Sequence, residues 1–384
     1  MVTITLDGVT VRYAGASSGR ANALDGFSLD IASGELMVLA GPSGSGKTTV
    51  LRTIAGLEQP VQGTIRFNGR DVRGVDPGAR DIALVSQFQS LFPHLTVEQN
   101  LGFALQLRKV PAEETAQRVT AEARVLGLWS KLRRRPRTLS AGERQRAAIG
   151  RATTRRPAIY LFDEPLAALD PAERERVRRE LQRLQHGLNV TTVYVTHDQR
   201  DAMALGDRVA VLDAGRLAQV AAPLTLYSQP RNLFVAQFFG LPPMGIVRGP
   251  LRDDGSTAWI DVGGAPLRLL PAQRAAVTDG AAGDVLAIGW RASAVHLGDE
   301  VPRQWSRRLD MVVANVEPLG ASTVVALAPA GAPSHTSDLV YATVPPTRQP
   351  ARGEPVVMTV DMRDSFVFDA RTGARRFPAT SYAE

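Results

Sequence analysis

The sequence predicts an α/β domain over residues 1–240, followed by a small all-β domain over residues 241–384. Three observations carry that expectation. The apolar run Leu36-Met-Val-Leu-Ala40 leads into a glycine-rich loop and then a helical stretch, the order of a buried parallel strand feeding a helix. A second apolar run, Ala158–Phe162, ends in two acids and precedes an amphipathic stretch. Beyond Phe239-Gly-Leu-Pro-Pro-Met244 the texture changes to short β-rich runs broken by Gly or Pro, at the spacing of roughly 8–12 residues expected of a small barrel.

The elements follow in order. Ile4, Leu6, Val9 and Val11 interleave with polar residues, as in half-buried strands. Residues 14–21 read as a Gly/Ser-rich loop. A helix is expected over Thr49–Leu57, then a strand over Ile65–Gly69 closing in an Asn-Gly turn. Residues 97–135 read as mostly helical, with a proline at 111. Asp170-Pro171 with Glu173 opens a further helix: Asp at the N-cap, Pro at N1, an acid at N3. Val177, Leu181, Leu184 and Leu188 share one face of it. Val190–Val195 is a third β-rich run, ending at Thr196-His197-Asp198. Val209–Leu212 and Arg216–Val220 flank Asp213-Ala-Gly, a hairpin signal. In the second domain strands are expected over Thr257–Val262, Val285–Ile288, Met311–Val316, Thr323–Ala328 and Val356–Val360.

Composition narrows the chemistry. The 384 residues are 44% hydrophobic and 22% charged, which suits two ordered domains with their own cores. Cysteine is absent, so disulfides, thiolate zinc sites, cysteine nucleophiles and cysteine-ligated clusters are excluded. No apolar stretch approaches the roughly 20 residues that span a bilayer. The opening residues lack a basic head followed by an apolar block, so no secretory signal is expected. Charge is uneven: residues 1–240 hold 31 basic and 23 acidic residues, residues 241–384 hold 14 and 15. The excess marks the first domain as the place for an anionic ligand. Only three of the 45 basic residues are lysines, Lys47, Lys109 and Lys131. One of the three stands inside the glycine-rich loop.

That loop, Gly41-Pro42-Ser43-Gly44-Ser45-Gly46-Lys47-Thr48, fits the P-loop pattern between a strand and a helix. Its glycines let backbone N–H groups wrap round phosphates, and the new helix N-terminus adds partial positive charge. Lys47 would reach the β- and γ-phosphates and Thr48 would ligate Mg²⁺, with Thr49 beside it. The plain alternative is a Gly/Ser-rich turn with a surface lysine. Asp163 is placed to hold Mg²⁺ and Glu164 to polarise an attacking water. In isolation the two acids would simply cap a strand end.

The third piece is Leu139-Ser140-Ala141-Gly142-Glu143-Arg-Gln-Arg146. With it, the sequence resembles the ATPase subunits of ABC transporters, in the sugar-importer (maltose, trehalose, glycerol-3-phosphate) branch. The resemblance spans essentially the whole chain. Its landmarks stand in order: Tyr13, the P-loop, Gln87, the Leu-Ser-x-Gly stretch, Asp163-Glu164, Asp170 and His197. Thr196-His197-Asp198-Gln199 followed by Ala202-Met-Ala-Leu-Gly-Asp-Arg208 is closest to the sugar-importer branch. The resemblance implies a mixed sheet with a RecA-like core and a helical subdomain, then an OB-like regulatory domain. The latter is matched by Phe234–Gly240, Gly289-Trp-Arg291, Val316–Gly320 and Phe368–Gly373.

Roles follow from the resemblance. Tyr13 stacks on adenine. Gln87 touches Mg²⁺ and the attacking water, and His197 contacts the γ-phosphate and orients Glu164. The Leu139–Glu143 segment meets the nucleotide held by a second copy of the chain, through the Ser140 hydroxyl and the Gly142 amide. Asp170 is a dimer contact, an N-cap, or both. The implied cofactors are ATP and Mg²⁺. The implied partners are a second copy of the chain, two transmembrane permease subunits docked through the Gln87–Asn100 region, and, indirectly, an extracytoplasmic solute-binding protein. The implied place is the cytoplasmic face of the membrane. Leu91 and Phe92 would be exposed hydrophobics of the docking groove, or else fold inward.

Departures from the family pattern are Ala141 and Glu143 in the signature, Ser86, Ala167, and Ala292-Ser293 after Arg291. Glu143 would bring a negative charge near the bound nucleotide. The arginines at 133, 134, 135, 137, 144 and 146 allow a nucleic-acid reading. A solvated helix end beside a phosphate site is favoured, and no nucleic acid is expected as partner. An importer for a polyamine or metal ion is the nearest alternative.

Overall fold

The computed structural model describes residues 2–13, 22–86, 91–167, 169–188, 190–277, 284–298, 306–331 and 338–378. They divide into two compact units, Met1–Pro223 and Leu224–Glu384. The division precedes the change of composition near 240. The segment between is tied to the second unit by Arg291, which is buried and donates to the carbonyls of Tyr227, Ala236 and Phe239. Leu233 N–H also donates to the Gly373 carbonyl at 2.8 Å.

The first unit holds two sheets. The larger runs Arg216–Ala221, Arg208–Asp213, Leu36–Ala40, Thr191–Thr196, Ile159–Asp163, Ile82–Val85 in spatial order. Its strands pair in parallel except for the Arg208–Asp213/Arg216–Ala221 hairpin at the edge. The smaller sheet is antiparallel: Leu24–Ile31, Ile4–Val11, Gln62–Phe67, Arg70–Asp71. Every residue of Leu36–Ala40 is buried, as a parallel strand covered on both faces requires. Met37, Leu39, Val193, Ile4, Phe27 and Ile54 share one core between the two sheets. Residues 97–135 form two helices, Val97–Leu107 and Ala112–Val125, followed by 3-10 turns. The first is opened by a Thr96–Gln99 capping box.

The register decides where function can sit. Ala40 lies beside Thr196, and Asp163 beside Val195. The carboxyl ends of three neighbouring parallel strands therefore reach the same edge. The loops that leave them carry Gly41–Gly46, Glu164 and His197. Crevices at such strand ends are where open α/β sheets bind ligands.

The second unit is all antiparallel β apart from short helices. One sheet runs Ala265–Arg268, Ala258–Val262, Gly245–Asp253, Val285–Trp290, Phe366–Asp369, Arg375–Phe377. The other runs Val295–Leu297, Pro355–Asp361, Ser306–Pro318, Thr323–Pro329, Val340–Val344. Ile246 N–H donates to the Leu339 carbonyl at 2.9 Å and links them. Val247, Ile260, Ile288, Trp290, Leu327 and Met358 fill a common core. The helix Pro271–Val277 within this unit was not expected; with Gln273 and Val277 its only buried residues, it carries too little apolar periodicity to read.

Candidate active site

Gly46 precedes the helix Lys47–Ala55 with φ of +102°, and no side chain caps that helix. A Cβ at Gly46 would lie 2.7 Å from the Ala23 carbonyl oxygen, so the position demands glycine twice over, for conformation and for space. The helix has no acid in its first turn. Its first N–H groups are left for a ligand, with the positive end of the dipole behind them. Lys47 is buried, and its Nζ donates to the Gly41 and Pro42 carbonyls at 2.9 and 2.8 Å. Burial pushes its pKa down, and the charges of Glu164 and Asp163 oppose that. Ser45 Oγ is buried with no hydrogen-bond partner.

Thr48 Oγ1 donates to Asp163 Oδ1 at 3.0 Å, joining the P-loop to the acid at the end of Ile159–Asp163. Burial raises the Asp163 carboxyl, with the Thr48 bond acting against it. Glu164 takes φ of +46° while its N–H donates to the Val195 carbonyl at 3.1 Å. A glutamate in the left-handed region is strained by on the order of 1 kcal/mol, and such strain gathers at functional sites. The bend turns the chain out of the sheet just where Glu164 begins. His197 Nδ1 lies 3.0 Å from Glu164 Oε2, so the imidazole donates to the carboxylate through Nδ1.

A cavity of about 580 Å³ gathers Tyr13, Ser43, Gly44, Gly46, Lys47, Thr48, Thr49, Glu164 and His197. It draws on the loops after three strands and on Tyr13, 36 positions away from its hydrogen-bond partner. Tyr13 is half exposed, and its hydroxyl lies 3.1 Å from Thr49 Oγ1. Ala23 also lines the cavity, which no side-chain chemistry in the sequence announces. Gln87 lies outside the described residues.

The signature residues form a separate group. Ser140 caps the helix Ala141–Thr153 in a capping box: its Oγ accepts from Glu143 N–H at 3.2 Å, and Glu143 Oε2 accepts from Ser140 N–H at 3.0 Å. Leu139 is buried beneath it. Glu143 also pairs with Lys131 at 3.3 Å. The Ser140 amide, then Lys131, hold its carboxyl below the usual range. The Glu143 departure is thus absorbed by the helix start, where an acid is favourable. Gly142 is overlain by the Glu173 carboxylate, which also sits 3.5 Å from Ser140 Oγ. Asp170 accepts from the Ala172 and Glu173 amides at 3.1 and 3.0 Å, the expected N-cap of Pro171–Leu188.

A cluster beside His197 has no counterpart among the sequence motifs. Asp198 caps the helix Gln199–Leu205. Arg174 bridges Asp198 at 3.0 Å and the buried Asp201 at 2.8 Å, and Arg178 lies 3.5 Å from the other Asp201 oxygen. The i, i+4 spacing of Arg174 and Arg178 was the available signal; their acidic partners are on another helix. Leu91 and Phe92 are half-buried rather than exposed. Phe92 packs on Phe103 at 4.5 Å between ring centres. Buried Asn100 fastens that loop through the Phe92, Leu95 and Thr96 carbonyls.

The ABC transporter family profile matches residues 24–167. The trehalose/maltose import ATP-binding protein MalK of Thermococcus litoralis is 42% identical over 94% of this chain and 96% of its own length. The sn-glycerol-3-phosphate import ATP-binding protein UgpC of Burkholderia pseudomallei is 42% identical over 98% of this chain and 99% of its own. Diacetylchitobiose uptake ATP-binding protein MsiK of Streptomyces coelicolor is 49% identical over 66% of this chain and 67% of its own. Among solved structures, the dimeric ATP-binding cassette MJ0796 bound to ADP and Pi aligns with a TM-score of 0.52 at 31% identity, over 57% of this chain and 98% of that one. Coverage of nearly the full length of two such relatives, together with a P-loop cavity that gathers the expected acid and histidine, places this chain in the family of ABC-transporter import ATP-binding proteins.

Proposed function

We propose that two copies of this chain sandwich two MgATP molecules and, docked on two permease subunits at the cytoplasmic face of the membrane, power import of a sugar, oligosaccharide or glycerophosphate-type solute. The chain is an ABC-type ATPase. The observation that carries the reading is the single cavity shared by Tyr13, the P-loop, Glu164 and His197.

In this reading Tyr13 offers its ring to adenine. The amides of Gly44, Gly46, Lys47 and Thr48 hold phosphate oxygens. Lys47 exchanges its two backbone carbonyls for β- and γ-phosphate oxygens. Thr48 Oγ1 and Asp163 Oδ1, 3.0 Å apart, are hard oxygen donors suited to Mg²⁺, which prefers one or two protein ligands beside phosphates and water. Bound there, Mg²⁺ would neutralise charge on the transferred phosphate. Glu164 accepts a proton from the attacking water, and His197 holds Glu164 in position through Nδ1.

Ser140 and Gly142 do not line this cavity. They complete it from the other copy, where the Ala141–Thr153 helix N-terminus faces the γ-phosphate. The dimeric state of the MJ0796 relative supports that arrangement. The permease subunits dock through the Gln87–Asn100 region, and a solute-binding protein delivers the solute from outside. Among the described residues no helix is long and apolar enough to cross a membrane.

The test is ATP hydrolysis by the chain assembled with its permease subunits. Hydrolysis should rise with the solute-loaded binding protein, and Glu164→Gln should abolish it while retaining ATP binding. Turnover in the parent no higher than in Glu164→Gln overturns the reading.

A further inference from the structure

We propose that the C-terminal unit carries a second anion site, built for a small organic phosphate. A cavity of about 480 Å³ there is lined by three arginines, Arg268, Arg274 and Arg307. They come from three separate elements: the strand Ala265–Arg268, the helix Pro271–Val277 and the strand Ser306–Pro318. General basicity does not explain the cluster, because residues 241–384 hold 14 basic and 15 acidic side chains. Three like charges facing one cavity are unfavourable without a counter-charge.

Among the described residues only Arg274, of the three, has its charge answered by a direct ion pair, to Asp253. Neither Arg268 nor Arg307 forms an ion pair among the described residues. Arg307 Nε is buried without a hydrogen-bond partner; its Nη1 donates to its neighbour's carbonyl, Ser306 O, at 2.9 Å. Burial first, and then the Arg268 charge, press its pKa down, and the Asp361 charge opposes them. The carboxylates in the neighbourhood are engaged. Asp361 is gripped by Arg363 at 2.6 Å. Asp254 accepts from the amides and hydroxyls of Ser256 and Thr257. Asp253 takes Arg274 in a two-pronged contact at 2.8 and 2.9 Å, which fixes that guanidinium at the cavity wall.

Guanidinium forks match phosphate oxygens, and two unpaired arginines balance a dianion where a carboxylate would leave charge over. The rest of the wall is apolar, with Leu269, Pro271 and Ala275, and suits an organic body attached to the phosphate. The volume is in the range of small-molecule sites, roughly 300–1,000 Å³. The site is independent of the hydrolytic cavity and stands whether or not the transport reading does.

The experiment is calorimetric titration of the full chain carrying Lys47→Ala, so that the P-loop does not compete for phosphate. The probes are glucose 6-phosphate, inorganic phosphate and glucose. Saturable binding of glucose 6-phosphate, tighter than inorganic phosphate and absent for glucose, is expected. Arg268→Gln, at an exposed position, and Arg268→Gln/Arg307→Gln should weaken it stepwise, the pair by at least about tenfold. Binding of inorganic phosphate as tight as that of the ester overturns the organic-phosphate assignment. No saturation by either anion up to about 10 mM, or equal binding in parent and both variants, overturns the site itself.

Discussion

Arg174 joins the helix that follows Asp170 to the loop that carries His197, and its removal tests whether that joint matters. Arg174→Ala deletes contacts of 3.0 Å to Asp198 and 2.8 Å to Asp201. Asp201 is 1% exposed, so the change strands a buried carboxylate. Breaking a buried pair by removing one partner costs about 3–5 kcal/mol. Here Arg174 is itself 23% exposed, and Arg178 remains 3.5 Å from Asp201, so we expect about 2–3 kcal/mol. Burial already pushes the Asp201 carboxyl up, with Arg174 the main group opposing it. In the variant the carboxyl rises further. A raised folded-state pKa means stability present at low pH and lost as pH rises through that pKa. The deficit should therefore be larger at pH 8 than at pH 5. Urea titration of parent and variant at both pH values measures it. In an Asp201→Asn background the same Arg174→Ala change should cost under about 1 kcal/mol, because the remaining partner, Asp198, is 24% exposed and no fully buried charge is stranded. ATP hydrolysis should fall by about tenfold or more as His197 loses its anchored loop. A deficit below about 1 kcal/mol that is independent of pH and of Asp201 would refute the reasoning.

Three further outcomes are expected. Gly46→Ala forces a Cβ to 2.7 Å from the Ala23 oxygen at φ of +102°; it should cost about 1–3 kcal/mol in thermal unfolding and abolish binding of a fluorescent ATP analogue, and parent-like binding would contradict the cradle. Glu173→Gln removes a negative charge from the N-terminus of the signature helix, beside Gly142 and Ser140. The assembled transporter should then show a KM for ATP lowered by about 2–5-fold, whereas an unchanged or higher KM would show that the carboxylate does not compete with phosphate. Arg291→Met removes the guanidinium donors to the Tyr227, Ala236 and Phe239 carbonyls. It should destabilise the C-terminal unit by about 3 kcal/mol, read by proteolysis of the Leu224–Phe239 segment, and resistance equal to the parent would show that segment held by other contacts.

The residues of the proposed hydrolytic site could be named from sequence because each has a local reason to be there. Gly46 serves a backbone conformation, Lys47 and Thr48 follow it at fixed spacing, and Asp163-Glu164 end an apolar run. Ser140 with Glu143, and Asp170 with its following proline, are helix starts whose hydrogen bonds reach only three residues. Only the tertiary structure decided what those pieces meet. The parallel register set Glu164 and His197 within 3.0 Å, and the antiparallel sheet, where Ala23 N–H donates to the Val11 carbonyl, brought Ala23 to the same cavity. Folding of one helix against another laid Glu173 over Gly142 and closed Arg174 on Asp201. The arginines of the second unit stand 33 positions apart at Arg274 and Arg307, and nothing in their neighbours' identities pairs them. Short-range chemistry is written in consecutive residues, whereas charge convergence depends on strand order and burial, which no local pattern encodes.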